Sequence, residues 1–400
     1  MTSLARESSP RVRTSHVVAR GLCALLVAPA AVNVSLLLPA AVFAQSASAA
    51  SPAKAPPRST PQSASAPATK PATKPATKPA TKPATKTATK PATKPATKPA
   101  TKTATKTAAK TVRKPDPDSL ALARQDSILN SYWPVKGPDL LAGSLLPAKR
   151  IVAYYGNPLS TRMGVLGEYE PEEMLRKLDA EVAAWNAADP GTPVQPALHL
   201  IAVVAQASGG KDGKYRLRMD SALIERVAGW AARRNALVFL DVQVGLSTLR
   251  EELPRLSPFL SRPHFHLGID PEFSMKDGSR PGKKIGTFDA ADLNYATSFL
   301  ADLVASHTLP PKVLVVHRFT QKGVTNYRNI RLDARVQIVM DMDGFGPPHL
   351  KRNTFRKWIK AEPVQFAGWK QFYKARNDSP RTSIADILKL YPRPVYIQYQ

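Results

Sequence analysis

Apolar residues form short runs in the second half of the chain, and stretches with helical spacing separate these runs. Eight runs predict strands, and most are almost continuously apolar, as LHLIAVVA at residues 198–205 illustrates. Such strands are buried on both faces, which is typical of a parallel sheet. The eight predicted strands cover residues 150–156, 198–205, 237–244, 264–275, 312–319, 336–341, 364–372 and 394–400.

Between the strands, apolar residues three or four positions apart predict helices. Asp220 and Asp289 are suitable caps for two of them. The predicted helices cover residues 171–188, 220–235, 246–260, 290–306, 350–360 and 383–390. This alternation over about 250 residues matches a (β/α)8 TIM-like barrel, an α/β fold. A doubly wound open sheet has the same rhythm and is the alternative.

The sequence ends on the eighth predicted strand, so no helix follows that strand. A helix predicted at residues 118–133 could take the missing helix's place or close the bottom of the barrel, and the pattern does not choose between these positions. We expect residues 116–149 to form an N-terminal helix and a connection, and residues 150–400 to form the barrel domain.

The first 115 residues lack this pattern. Four arginines within residues 1–20 precede an apolar run at residues 22–43 and small residues around Ala44, so we predict a secretory signal peptide over residues 1–44. At about 22 residues the run is also long enough for a membrane anchor, which is the alternative. Cys23 is the only cysteine, which excludes a disulfide within the chain.

Residues 45–115 are predicted to be a disordered basic linker, because residues 67–114 consist of four-residue units, mostly Pro-Ala-Thr-Lys. Residues 1–66 carry a net charge of +5 and residues 67–114 carry +13, which leaves +9 of the total +27 for residues 115–400. The basicity therefore says little about the barrel's ligand. It predicts either retention on anionic cell-envelope polymers or a passive spacer, and the leader argues against a specific nucleic-acid partner.

Polar side chains stand at nearly every predicted strand end, where barrel enzymes place their working residues. Asp270 and Glu272 lie two positions apart on the predicted strand 264–275, so their carboxyl groups would share a face. Neighbouring carboxyl groups raise the proton affinity of one of them, which suits general acid catalysis. The structural alternative is that Asp270 caps a turn and Glu272 pairs with a lysine. The predicted substrate-binding residues are Tyr155, Gln206, Asp241, Gln243, His317, Arg318, Asp341, Asp343, Trp369, Lys370 and Gln398.

Other motifs are weaker. His264 and His266 have metal-ligand spacing but precede the strand end, so we predict that their side chains lie in the barrel core. We expect neither a metal nor another cofactor. The glycine-rich residues 209–214 lack the spacing of a phosphate-binding loop.

Three segments resemble strand ends of the chitinase-type, family 18 glycoside hydrolases. They are Ala-Tyr-Tyr-Gly at residues 153–156, Asp-Pro-Glu at residues 270–272, and Met-Asp-Met-Asp-Gly-Phe-Gly at residues 340–346. The resemblance implies that Glu272 is the acid, Asp270 its helper and Asp343 a substrate contact.

The chain also departs from this family. Phe265 and Gly268 stand where the family motif has two further acids, Met342 replaces a tyrosine, and the family's strand-eight tryptophan is missing. Another exported barrel family is equally compatible with these residues. We expect a secreted or cell-envelope glycoside hydrolase-like barrel that acts on an extracellular or envelope polysaccharide by carboxylate acid/base chemistry. The alternative is a non-catalytic glycan-binding protein tethered by its basic repeat, with membrane contact only if the leader is uncleaved.

Overall fold

The computed structural model describes residues 117–374 and 377–400. The predicted signal peptide at residues 1–44 and the predicted linker at residues 45–115 lie outside these residues, so both stay predictions. Among the helices of the described residues, none combines the length and the apolar character needed to cross a bilayer.

Eight parallel strands form a closed barrel. They pair in the order β1-β2-β4-β5-β7-β9-β10-β11, and β11 returns to pair with β1. This closure confirms the predicted TIM-like barrel and excludes the open sheet. The strand β3 runs antiparallel to β2, and β6 pairs with β8 outside the barrel. The strands are β1 (Arg150–Gly156), β2 (Val194–Ala205), β3 (Arg216–Arg218), β4 (Leu237–Val242), β5 (Phe265–Ile269), β6 (Phe288–Asp289), β7 (Lys312–Arg318), β8 (Val324–Thr325), β9 (Val336–Met342), β10 (Phe366–Gln371) and β11 (Tyr396–Tyr399).

The helices lie close to their predicted positions. Capping explains two of their starts: the Asp220 side chain accepts the Leu223 amide at 2.7 Å, and the Thr248 side chain accepts the Glu251 amide at 3.2 Å. The helices are α1 (Pro117–Asn130), α2 (Val165–Glu168), α3 (Pro171–Ala188), α4 (Ser221–Ala232), α5 (Leu249–Leu260), α6 (Ala290–His307), α7 (Pro348–Phe355) and α8 (Ile384–Leu388), and α7 continues into a π-helical turn, Arg356–Lys360.

The barrel strands bury both faces, as their apolar runs predict. Outward residues such as Leu267 and Leu314 pack against the helices in one large cluster. Inward residues such as Phe239 and Val315 form a separate cluster inside the barrel. Because side chains alternate along a strand, each position two residues further on points to the same side. This alternation decides which polar residues at the strand ends face the barrel interior.

Helix α1 takes neither of the two positions considered for it from the sequence. Helix α1 lies beside the π-helical turn, where Asp126 pairs with Arg356 at 2.9 Å and with Lys360 at 3.2 Å. The connection after α1 closes the bottom of the barrel instead: fully buried Leu146 packs in the interior cluster. Its amide donates to the Gln337 side-chain oxygen at 3.1 Å, and the Gln337 amide donates back to its carbonyl at 2.6 Å.

Candidate active site

The strand that carries the predicted acids is shorter than expected. It ends at Ile269, and Pro271–Phe273 form a 3-10 turn that Asp270 caps. Pro271 has no amide hydrogen and cannot continue the strand ladder. The Asp270 Oδ1 atom accepts the Glu272 amide at 3.0 Å and so caps the turn that follows. The idea that both carboxyl groups share a face of one extended strand is therefore corrected, and a turn brings Glu272 over the end of β5.

Asp270 belongs to a hydrogen-bonded row along the barrel mouth. Its Oδ2 atom accepts the side-chain amide of Gln243 at 3.1 Å. The same Gln243 amide lies 3.5 Å from the hydroxyl of Tyr155, which donates to Asp241 Oδ2 at 2.9 Å. Tyr155, Asp241, Gln243 and Asp270 are all buried, so this row forms the floor beneath Glu272 on that side of the barrel.

His317 joins the two sides of the barrel mouth. Its Nε2 atom lies 3.4 Å from Asp241 Oδ1, and its Nδ1 atom lies 3.2 Å from Asp343 Oδ2 and 3.7 Å from Asp341 Oδ2. Asp343 in turn accepts from the Lys370 ammonium at 2.8 Å, and that ammonium lies 4.3 Å from the centre of the Tyr155 ring. Two basic groups and three carboxyl groups thus meet at the ends of β4, β7, β9 and β10, and burial raises the pKa of one of these carboxyl groups, Asp341, to about 7.

The surroundings give these acids different proton affinities. Burial, together with the charges of Asp270 and Asp343, raises the pKa of Glu272 to about 8, and burial raises the pKa of Asp270 to about 7. Burial alone would also raise the pKa of Asp343, but Lys370 and His317 lower it below its ordinary value. Glu272 is half-buried, and the described residues provide no hydrogen bond or ion pair to its carboxyl group. The site therefore holds a protonated acid beside an ionised carboxylate at neutral pH.

The two histidines of the cluster also differ in pKa. Burial lowers the pKa of His199 to about 4, so this imidazole is neutral at pH 7. Burial alone would also lower the pKa of His317, but the facing carboxylates of Asp241 and Asp343 raise it well above its ordinary value. Burial alone would raise the pKa of Asp241, and the two histidines hold it low.

His199 and Tyr396 are two residues of the cluster that the sequence did not identify. His199 Nδ1 lies 2.6 Å from the Tyr396 hydroxyl and 3.1 Å from the side-chain amide of Gln398. His199 was hidden inside the apolar run of β2, although a polar residue at an inward position was the available signal. Tyr396 lies two positions before the predicted residue Gln398 and thus on the same face.

Two glycines make room for the buried polar groups. A Cβ atom on Gly268 would lie 2.3 Å from His199 Nε2 and 2.5 Å from Asp241 Oδ1. A Cβ atom on Gly368 would lie 2.6 Å from Asp341 Oδ1. Side chains at these inward positions of β5 and β10 would therefore displace the cluster.

Three ligand-type atoms converge in this space. His199 Nε2, Asp241 Oδ1 and His317 Nε2 lie within 4.8 Å of one another, and all three residues are buried. None of the three atoms has a good hydrogen bond within the described residues. Among the described histidine, cysteine, aspartate and glutamate residues, these three are the group whose ligand atoms lie close enough together to hold a metal ion. The two histidines considered from the sequence lie elsewhere: His264 is exposed, and His266 accepts the Val313 amide at 3.0 Å inside the barrel.

The structure does not bring three of the predicted residues into the cluster. Arg318 follows inward-facing His317 and so points outward, where it pairs with Glu362 and donates to the Trp358 carbonyl at 3.1 Å. Trp369 precedes inward-facing Lys370 and is fully buried in the outer core. We therefore withdraw the predicted substrate contacts of Arg318 and Trp369.

Gln206 is the third predicted residue outside the cluster. It follows β2, its amide donates to the Tyr215 carbonyl at 2.8 Å, and its side chain lies 3.4 Å from the Val204 carbonyl. The structure thus gives it local backbone contacts. The other predicted residues are at the mouth or directly below it: Tyr155, Asp241, Gln243, Asp270, Glu272, His317, Asp341, Asp343, Lys370 and Gln398.

A cavity of about 770 Å³ lies at the same end of the barrel, because loops that follow strands line it. The loops after β2 and β5 contribute Lys214 and Lys276, and the first turn of α5, which follows β4, contributes Arg250. Met275 also lines it, three residues after Glu272, so the cavity borders the turn that carries the predicted acid.

Comparisons with known proteins add little to this geometry. No protein-family model matches the chain, and no curated protein sequence matches it. Among solved structures, it is similar to a ruminal GH26 endo-beta-1,4-mannanase, with 11% sequence identity and a TM-score of 0.30 over 63% of this chain and 59% of that chain. The chain thus covers less than two thirds of that enzyme's length. A TM-score this low carries no argument, and membership in family 18 finds no support.

Proposed function

We propose that the protein is an exported glycoside hydrolase that cleaves an extracellular or cell-envelope polysaccharide, with Glu272 as the proton donor. The observation that carries the proposal is the raised proton affinity of Glu272 at the open end of a closed barrel. Its pKa of about 8 follows from burial and from the neighbouring charges of Asp270 and Asp343. A carboxylic acid that keeps its proton at neutral pH suits protonation of a leaving glycosidic oxygen.

Asp343 is suited to the complementary role. Lys370 and His317 hold its pKa below the ordinary value, so its carboxylate is ionised when Glu272 is protonated. Glycosidases use two carboxyl groups in these opposite states, one as acid and one as nucleophile or base. Asp270 has a positioning role, because its Oδ1 atom accepts the Glu272 amide and its Oδ2 atom accepts the amide of Gln243.

The cavity beside the mouth supports a polymeric substrate. Its lining segments follow β2, β4 and β5 and include Met275, three residues after Glu272, so the cavity offers space for further sugar units beside the proposed acid. Export is proposed from the leader at residues 1–44, and retention on anionic envelope polymers is proposed from the basic repeat at residues 67–114.

A Glu272→Gln variant tests the proposal. The amide has nearly the same shape but cannot donate a carboxyl proton, so kcat/KM on the cleaved polysaccharide should fall about 10²–10⁴-fold. Activity is measured as new reducing ends across a panel of envelope and extracellular polysaccharides, with product analysis by mass spectrometry. Asp277→Asn is the matched control, because Asp277 is exposed on the loop that follows and pairs with Lys284 at the surface. It should retain full activity.

Stability separates a catalytic from a structural role for Glu272. A carboxyl group whose pKa is raised from 4.5 to about 8 stabilises the fold most below pH 4.5 and loses that contribution as the pH rises to 8. The Glu272→Gln variant should therefore unfold at pH 7–8 at the same temperature as the wild type or a higher one. A large drop in the unfolding temperature would mark Glu272 as structural and overturn the assignment.

Glycan binding without cleavage is the second candidate function. It is favoured by Asp270, whose two oxygens are both occupied by hydrogen bonds, and by the outward position of Trp369, which leaves the predicted stacking platform outside the mouth. Affinity electrophoresis on the same polysaccharides distinguishes the two functions. Retardation of the wild type without any products would favour binding alone.

A further inference from the structure

We propose that His199, Asp241 and His317 bind one divalent transition-metal ion inside the C-terminal end of the barrel. This site goes beyond the acid chemistry proposed for Glu272 and does not depend on it. It also replaces the expectation of a metal-free chain, which rested on His264 and His266.

The distances fit a metal centre. Asp241 Oδ1 lies 3.5 Å from His199 Nε2 and 3.4 Å from His317 Nε2. Ligands bound tetrahedrally at about 2.0–2.1 Å from an ion are about 3.3–3.4 Å apart, so two edges of such a polyhedron already exist. The three ligands come from the neighbouring strands β2 and β4 and from β7, whose barrel positions fix the spacing.

Hydrogen bonding leaves the three inner atoms free. His199 Nε2, Asp241 Oδ1 and His317 Nε2 are each buried without a hydrogen-bond partner among the described residues. Folded proteins pair nearly all buried polar atoms, because an unpaired one loses its hydration without compensation. Three such atoms that face one another are explained together by a cation between them.

Two of these side chains, His199 and Asp241, are hydrogen-bonded through their outer atoms. His199 Nδ1 lies 2.6 Å from the Tyr396 hydroxyl, and Asp241 Oδ2 accepts from the Tyr155 hydroxyl at 2.9 Å. His317 Nδ1 has no hydrogen bond but lies within ion-pair distance of Asp343 Oδ2, at 3.2 Å. Metal-binding histidines typically turn their second nitrogen to a carboxylate or another polar group, which orients the ring.

Space around the inner atoms is kept by Gly268. A Cβ atom there would lie 2.3 Å from His199 Nε2 and 2.5 Å from Asp241 Oδ1, so any side chain at this position would enter the proposed site. Gly268 pairs with Asp241 in the strand register, which places its bare Cα directly beside the ligand carboxylate.

The donor set selects the kind of ion. Two imidazole nitrogens and one carboxylate oxygen suit Zn²⁺ and other first-row transition metals, whereas Ca²⁺ and Mg²⁺ prefer oxygen ligands alone. Three protein ligands leave a coordination position open. The competing arrangement is metal-free, with a charged His317 held between Asp241 and Asp343.

Zinc binding by the full-length chain tests the proposal. The protein is stripped with a chelator, dialysed against Zn²⁺, and its bound metal is measured by mass spectrometry. We expect one Zn²⁺ per chain and a rise in the unfolding temperature, because the ion binds only the folded protein. His199→Gln, Asp241→Asn and His317→Gln should each weaken binding by more than about 10-fold. His264→Gln and His349→Gln are matched controls at exposed histidines and should bind as the wild type does.

Two further measurements keep the test decisive if a ligand variant fails to fold. Wild-type protein loaded with Co²⁺ should show the intense visible absorption of a four- or five-coordinate ion with nitrogen ligands. The Glu272→Gln variant should bind Zn²⁺ normally even if it has lost hydrolysis, which separates this proposal from the proposed function. Absence of stoichiometric Zn²⁺ binding, a weak octahedral Co²⁺ spectrum, or unchanged binding in the folded ligand variants would overturn the proposal.

Discussion

Two acids at the barrel mouth differ because their neighbours differ. The Glu272 carboxyl group accepts no hydrogen bond or ion pair from the described residues; burial and two neighbouring carboxyl groups raise its pKa, so it keeps its proton. Asp343 lies 2.8 Å from the Lys370 ammonium and 3.2 Å from His317, so it loses its proton readily. Opposite protonation states at neutral pH are what acid/base catalysis requires of a carboxyl pair.

The raised pKa of Glu272 predicts a pH limit for activity. Because the proton donor must be protonated, kcat/KM should fall as the pH rises through about 8. The measurement is the pH profile of kcat/KM on the cleaved polysaccharide, with unfolding temperatures recorded at each pH to exclude loss of the fold. A profile that declines already above pH 5, or that stays flat well above pH 8, would contradict the assignment of Glu272.

Gly268 predicts a sharp steric effect. The Gly268→Ala variant would place a methyl group 2.3 Å from His199 Nε2, so the free energy of unfolding should fall by about 1–3 kcal/mol or more. The control is Gly229→Ala on helix α4, where an added Cβ meets nothing within 4 Å. That change should raise the free energy of unfolding by about 0.5–1 kcal/mol, because alanine is the better helix residue. Urea titrations of both variants measure the difference, and equal effects would show that β5 has more room than the structure indicates.

At the scale of elements, the strands were the most predictable part of the chain. Continuous apolar runs define them, and their alternation also shows which neighbouring polar residues can share the barrel interior. His317 and Arg318 are adjacent, as are Trp369 and Lys370, so only one of each pair can face inward. The alternation along these strands therefore shows that Arg318 and Trp369 face outward when His317 and Lys370 face the barrel interior.

Other features of the site could not be predicted from a single strand. His199 meets Asp241 and His317 only because the barrel closes, and no spacing along the chain encodes that convergence. The turn at Pro271–Phe273 replaced an expected strand, since a proline ended the ladder and Asp270 capped what followed. The closing role of Leu146 depends on Gln337, which is 191 residues away in sequence.

Helix α7 predicts a test at this scale. Its Lys351 is fully buried and donates to Asp378 at 2.5 Å and to the Lys370 carbonyl at 2.7 Å. A Lys351→Met variant would leave the buried Asp378 carboxylate without its cation, so the free energy of unfolding should fall by about 3–5 kcal/mol. Chemical denaturation of the full-length protein measures this change.

The control for Lys351 is Lys357→Met in the exposed part of the π-helical turn. This change should alter the free energy of unfolding by less than about 0.5 kcal/mol. Because Asp378 also accepts the amides of Gly346 and Phe372, loss of Lys351 should loosen the loops after β9 and β10 as well. Similar stabilities of the two variants would show that the buried ion pair contributes little.

For the whole molecule, the decisive feature is that the strand cylinder is closed between its first and last strands and filled at its bottom. The β11–β1 pairing completes the barrel, and Leu146 fills its bottom with the help of Gln337. The described residues 117–374 and 377–400 therefore contain a complete apolar core and all members of the candidate site. Activity of the barrel on a soluble substrate should consequently not require the basic repeat.

Deletion of residues 67–114 tests the proposed division of labour between repeat and barrel. The repeat carries a charge of +13 and no aromatic residues, so it should bind anionic envelope polymers as a diffuse polycation. Such attraction is screened over about 8 Å at physiological salt and should weaken steeply as salt increases. Co-sedimentation with isolated envelopes from low to high salt should show salt-sensitive retention of the full chain and little retention of the deleted form, with equal hydrolysis of soluble substrate. Equal, salt-insensitive retention of both forms would leave the repeat as a spacer.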